Sequence, residues 1–266
     1  GNEVTAEENF STLLDQAENG LQVLNMGVPG YGIDQAILKY ERHGAAYEPD
    51  VVILGIYVSD YERSTVAFTA APKPLFMMAG DQLRLTNAPV PAPPVAFEQI
   101  ADSLSGHLYL SEFISSRLPG ARQTPEAFFD TADEVIGRLL ERLRDGIGPD
   151  QRLLILHIPR GESFRDPDPF HQQMDARLRG LYAGLQLQVV DLARLFTSEI
   201  AAEDVPERFY RVRASGSVGH LNPTGHRRLA AAISQALSLQ PTDWQPALAF
   251  PGQLSIMPPA RPSDSR

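Results

Sequence analysis

Val51-Val52-Ile53-Leu54-Gly55-Ile56-Tyr57-Val58-Ser59-Asp60 is an apolar run that stops abruptly at two polar residues. A run with no polar alternation reads as a strand buried on both faces, the pattern of inner strands in parallel sheets. Working outward, Leu153-Leu154-Ile155-Leu156-His157-Ile158 repeats it, and Leu187-Gln188-Val189-Val190-Asp191 gives a shorter version. Leu21-Gln22-Val23-Leu24-Asn25 is a further strand candidate. Helical periodicities lie between these runs. Residues 33–47 place Ile37 and Tyr40 on one face, and residues 125–144 space Phe128, Val135, Leu139 and Leu143 at helical intervals. Residues 168–184 align Met174, Leu178 and Leu181, and residues 223–239 align Leu229, Ile233 and Leu237. Strands alternating with helices predict an α/β fold whose parallel sheet is covered on both faces.

The rest of the composition narrows the function. The chain has 266 residues, 43% of them hydrophobic and 21% charged, which is ordinary globular usage. A net charge of -10 argues against a nucleic-acid partner. There is no cysteine, which removes disulfides, thiolate nucleophiles and cysteine-ligated zinc. The absence of cysteine fixes no compartment. No apolar run is long enough to span a bilayer. Prolines gather at Pro72, Pro74, Pro89, Pro91, Pro93 and Pro94 and again from Pro241 to Pro262. Proline lacks a backbone donor, so both stretches are expected to be irregular: an insertion over about 62–124 and a tail over 240–266. Residues 97–118 within the insertion have an amphipathic spacing that suits a surface helix or a cover over a site.

Three stretches could carry chemistry. Asn25-Met26-Gly27-Val28-Pro29-Gly30-Tyr31-Gly32-Ile33 joins a strand to a helix, and its glycines permit positive φ and close backbone approach. The spacing is not that of a dinucleotide fingerprint, so the choice lies between a tight turn and a backbone pocket for an oxyanion. Ser59 and Asp60 follow the central strand at its C-terminal end, where open α/β sheets bind ligands; a turn or a helix cap would use the same residue types. Gly219-His220-Leu221-Asn222-Pro223-Thr224-Gly225-His226 places His220 in a loop before the last helix, where it suits a general base. His220 and His226 do not have the spacing of a metal pair, and no metal or other cofactor is expected. His226 reads as a packing residue, and His157 as a satisfied polar group at a strand end.

Taken in order, these stretches resemble the SGNH (GDSL-type) hydrolase superfamily, in a bacterial branch. The resemblance spans residues 1–239: the glycine turn is similar to the second block, Tyr47-Glu48-Pro49-Asp50 through Ser59-Asp60 to the third, and Gly219 to His226 to the fifth. It implies a three-layer α/β/α fold with a flavodoxin-like parallel sheet and a serine-based ester hydrolase or acyltransferase. The implied substrate is a small acyl or acetyl ester, carbohydrate-linked among the options. His220 would be the catalytic base, and Gly30, Ser59, Asp60 and Asn222 would be oxyanion or substrate groups. The chain departs from the pattern in three ways. Ser59 stands where the family has asparagine, and Val218 and Ser217 stand where an aspartate would orient the histidine, leaving Asp60 and Asp191 for that task. The block ending in Gly-Asp-Ser, with the nucleophile and the first strand, would precede Gly1. Without that strand, residues 21–25 and 51–57 either lack a shared neighbour or pair directly with each other. Two other readings remain: a catalytically inactive scaffold that binds an acylated or glycan ligand, and an assembly module using the proline-rich stretches.

Overall fold

The computed structural model describes residues 3–17, 20–69, 71–90 and 125–238. Its centre is a parallel sheet of β1 (Val51–Tyr57), β4 (Arg152–Ile158) and β5 (Gln188–Asp191), in the order β1-β4-β5. The register pairs Val51 with Arg152 and runs to Tyr57 with Ile158, while His157 pairs with Asp191. The C-terminal ends of all three strands therefore lie together.

Period-2 alternation sends the side chains of each strand to opposite faces, and each face has its own core. On one, Leu54, Ile56 and Ile155 pack against α2 (Ile33–Lys39), α4 (Pro125–Gly146) and α5 (Pro169–Gly184) through Ile37, Ile136, Leu139, Leu140 and Leu178. On the other, Leu154 and Leu156 pack against α1 (Phe10–Asp15), α6 (Leu192–Thr197), α7 (Val205–Phe209) and α8 (Pro223–Ser238) through Leu14, Phe196, Phe209, Leu229 and Ile233. These are the three layers of an α/β/α fold. The helical stripes read from spacing are thus core contacts. Capping follows the local sequence as well: Asp168 accepts the His171 N–H at the start of α5, and Asp191 accepts the Ala193 and Arg194 N–H groups at the start of α6.

Four expectations change. Residues 21–25 are not a strand; their polar groups are spent on α1 instead, with the Val23 N–H donating to Asp15 Oδ1 at 2.7 Å and Asn25 Nδ2 to Ser11 Oγ at 3.0 Å. Direct pairing of this segment with β1 does not occur, and among the described residues no strand lies against the other edge of β1. The helix expected over 33–47 is segmented, with α2 passing into a π turn (Tyr40–Gly44) and a 3-10 turn (Ala45–Tyr47). The proline-rich insertion is not wholly irregular. It contains the hairpin β2 (Leu75–Ala79) and β3 (Gln82–Thr86), because the residues between Pro74 and Pro89 include no proline and keep every ladder donor. The hairpin reaches the core through Phe76, Met78 and Leu83. Lastly, His220 is on a strand: β6 (Tyr210–Val212) and β7 (Val218–Leu221) form an antiparallel pair. Residues 97–118 and the tail after residue 238 lie outside the described residues.

Candidate active site

The glycine turn leads into α2, whose first residue is bonded to the segment that follows β1. Gly30 has φ +80°, the left-handed region that glycine enters without strain, and a Cβ there would meet nothing within 4 Å. Conformation, not crowding, requires the glycine. Among the described residues its N–H takes no internal partner, whereas the neighbouring Tyr31 N–H closes the turn on Val28 O. The start of α2 is tied to the turn after β1: the Ile33 N–H donates to Ser64 Oγ at 2.9 Å, and Ser64 Oγ donates to Asp60 O at 2.7 Å. Two stretches some 30 residues apart in the chain are joined by these bonds, the Ile33–Ser64 separation being 31. Beneath them Lys73 and Asp34 form a buried ion pair at 2.5 Å, with Lys73 Nζ also donating to the carbonyls of Val66 and Pro74.

Ser59 is buried, and its hydroxyl makes no cap bond to α3 (Asp60–Arg63). Asp60 accepts the Tyr57 N–H at 2.9 Å and Arg63 Nη1 at 2.7 Å. Burial pushes its carboxyl up to about 6 against the attraction of Arg63 and the bonds it accepts. A carboxyl poised there at a strand end can exchange a proton near neutral pH.

His220 is presented by the β6–β7 pair. This hairpin lies on the 3-10 turn (Gly161–Phe164) that follows β4: Tyr210 Oη donates to Pro159 O at 3.2 Å, and Gly161 leaves the space that Val218 and the Tyr210 ring fill. The His220 side chain is 61% exposed. Neither acid proposed from the sequence touches it. Asp60 is bonded as described, and Asp191 caps α6 and pairs with Arg179. The carboxylate at His220 is Glu3, whose Oε2 accepts the His220 N–H at 2.7 Å and stands 3.4 Å from Nδ1. Glu3 carries no sequence signal: it is remote from residue 220 and belongs to no motif. Asn222 donates from Nδ2 to the carbonyls of Arg208 and Tyr210 and accepts the Gly225 N–H, so its amide holds the junction between β7 and α8.

His157 and His226 have structural partners. His157 is wholly buried on β4, 2.7 Å from Asp175, and Asp175 also binds Arg179. Burial alone would raise the Asp175 carboxyl, but His157 and Arg179 outweigh it and hold it at about 2. His226 stacks on Phe10 and accepts the Phe10 N–H at Nδ1, docking α1 on α8; burial lowers its imidazole to about 4. Among the described residues no group of three or more His, Asp or Glu side chains stands where it could hold a metal ion, and no helix is long and apolar enough to cross a membrane.

No family model matches the chain, and no curated protein matches it. Solved structures similar to it include a catalytic mutant of Axe2, an acetylxylan esterase from Geobacillus stearothermophilus, with 16% identity, a TM-score of 0.49, and coverage of 87% of this chain and 82% of that one. A second catalytic mutant of that enzyme has 15% identity, a TM-score of 0.45, and coverage of 90% and 89%. A third mutant, described as an acetyl-xylooligosaccharide esterase from the same organism, has 16% identity, a TM-score of 0.46 and the same coverage.

Proposed function

We propose that this chain carries the oxyanion and base side of an SGNH-type ester hydrolase or acyltransferase acting on a small acyl or acetyl ester, with carbohydrate-linked acetyl esters the first class to test. One observation carries the reading. Ile33, three residues after Gly30, is bonded through Ser64 to Asp60 just beyond the C-terminal end of β1, and the hairpin bearing His220 rests on the turn that leaves β4 at the corresponding end of its paired strand; among the described residues the Gly30 N–H takes no partner. In this reading Gly30 N–H and Ser59 hold the developing oxyanion, and His220 takes the proton of the attacking hydroxyl and passes it to the leaving oxygen. The nucleophile in this reading is the serine of a Gly-Asp-Ser block, which residues 1–266 do not contain, on a strand that would take the edge of β1 left without a neighbour among the described residues.

The experiment starts from the coding sequence upstream of Gly1. A strand ending in Gly-Asp-Ser is expected there, and a protein that includes it should hydrolyse p-nitrophenyl acetate and lose the activity on His220→Ala. Absence of that block, or turnover indifferent to His220, refutes the reading. A second reading, a scaffold that binds an acylated ligand without turnover, is favoured by Ser59: its short side chain is only 7% exposed where the family pattern has the longer asparagine. Losing one oxyanion donor costs about 3–4 kcal/mol of transition-state stabilisation. Tight binding of an acylated sugar by a protein that has the serine block but no turnover would decide for that reading.

A further inference from the structure

Three histidines among the described residues stand beside a carboxylate, and their surroundings separate them. His157 is sealed in the core between β4 and α5, with no route to a ligand. His171 has both ring nitrogens engaged, Nδ1 with Asp168 at 2.8 Å and Nε2 with the Arg160 guanidinium. His220 alone of the three has one ring nitrogen toward a carboxylate and a ring otherwise open to solvent.

The β6–β7 hairpin grips residue 3 at several points. Arg211 Nη2 donates to Glu3 O at 3.1 Å, Arg213 Nη2 donates to Glu3 Oε1 at 2.5 Å, and the His220 N–H donates to Glu3 Oε2 at 2.7 Å. Gly219 leaves the floor of this seat empty: a Cβ there would lie 2.9 Å from the Glu3 carboxyl carbon and Oε1. Burial opposes ionisation of Glu3, but the His220 N–H and the Arg213 guanidinium outweigh it and hold the carboxyl below its ordinary value. The side chain that meets Nδ1 is therefore a fixed anion.

We infer that Glu3 is the positioning carboxylate of His220, holding the neutral ring as its Nδ1–H form so that the Nε2 lone pair faces outward as the proton acceptor. The inference rests on the base role given to His220 above and supplies the acid that its neighbours in sequence, Val218 and Ser217, do not. Nε2 takes a proton from the attacking hydroxyl and returns it to the leaving oxygen; Nδ1–H stays on the ring throughout, and Glu3 stabilises the transient imidazolium without being protonated. An acid recruited from a distant part of the chain performs the same electrostatic task as one beside the histidine, because only the distance to Nδ1 and the fixed geometry enter the interaction.

The test is the ring tautomer of His220, read from two- and three-bond 15N–1H correlations of this chain at a pH where the ring is neutral. The wild type is expected to show predominantly Nδ1–H, and Glu3→Ala is expected to revert to the Nε2–H form that an unconstrained neutral imidazole prefers. Nε2–H in the wild type, or the same tautomer in both proteins, overturns the inference. The wild-type spectrum decides even if the variant does not fold. A purely structural Glu3 would lower thermal stability without moving the tautomer. In a longer protein that turns over ester, Glu3→Ala should lower kcat by about 10²-fold or more with little change in KM. Nδ1–H in a protein that includes the serine block yet hydrolyses no ester leaves the Glu3 assignment standing and refutes the proposed function instead.

Discussion

Replacing Asp34 by valine while Lys73 stays in place is the most informative single perturbation of this fold. The ammonium loses its 2.5 Å partner and keeps the carbonyls of Val66 and Pro74, at 2.9 and 3.1 Å. Lys73 is 2% exposed and Asp34 is 0% exposed, so water does not take the place of the carboxylate. Removing one partner of such a pair costs about 3–5 kcal/mol. The pair is nevertheless not a strong source of stability. Burial raises the Asp34 carboxyl more than Lys73 and the backbone bonds lower it, and Asp34 Oδ1 is buried with no hydrogen-bond partner. An unsatisfied group of this kind costs about 1–3 kcal/mol. Removing both charges, as Asp34→Val with Lys73→Met, should therefore return stability to within about 1 kcal/mol of wild type or above it. Urea unfolding at neutral pH, followed by circular dichroism for the four proteins of the cycle, gives the coupling, expected to be at least as large as the single Asp34→Val loss of about 3–5 kcal/mol. A single-variant loss under about 1 kcal/mol, or a double variant no more stable than Asp34→Val, refutes the argument. The pair fastens the segment around Val66–Pro74 to the start of α2, next to the Gly30 turn, so the single variant should also loosen that turn in hydrogen exchange.

Two further predictions concern the site directly. The Asp60 carboxyl, raised to about 6 in the fold, contributes stability that is fully present below its unfolded value of about 4 and lost as pH rises through 6. Asp60→Asn should therefore gain up to about 3 kcal/mol on the wild type above pH 7 and nothing at pH 4; denaturant midpoints that differ by a constant amount across that range contradict it. Gly161→Ala would put a Cβ 2.8 Å from Tyr210 Cδ1 and into the Val218 side chain, displacing the hairpin that carries His220. A loss of about 1–3 kcal/mol on thermal melting, together with a shifted His220 ring signal, is expected, and an unchanged ring signal would show that the hairpin does not depend on this contact.

What could be read in advance followed from local rules. Val51–Tyr57 and Leu153–Ile158 announce themselves because a strand buried on both faces shows an apolar run without polar alternation. The stripes of α4, α5 and α8 do so because helical period selects the residues that meet a core. The Gly30 turn was legible because a positive φ narrows the residue choice. Residues 21–25 were misread because a short apolar run becomes a strand only if a neighbour supplies partners, and α1 side chains supplied them first. The hairpin β2–β3 was missed because proline counted over the whole insertion hid a proline-free interval.

The sequence by itself determined the α/β class, the parallel sheet and the helical stripes that enter its two cores, since hydrophobic period and turn chemistry act over a few neighbouring residues. It also singled out Gly30, Ser59, Asp60 and His220, each at a boundary between elements. Only the tertiary structure decided their partners. The joining of Ile33 to Ser64 and of Asp34 to Lys73, the use of Asn222 as a junction clamp, and above all the seat that brings Glu3 against His220 depend on contacts between residues far apart in the chain. Charge attraction and hydrogen bonding depend on distance in space, and no spacing along the chain encodes that distance until the sheet and hairpin have formed.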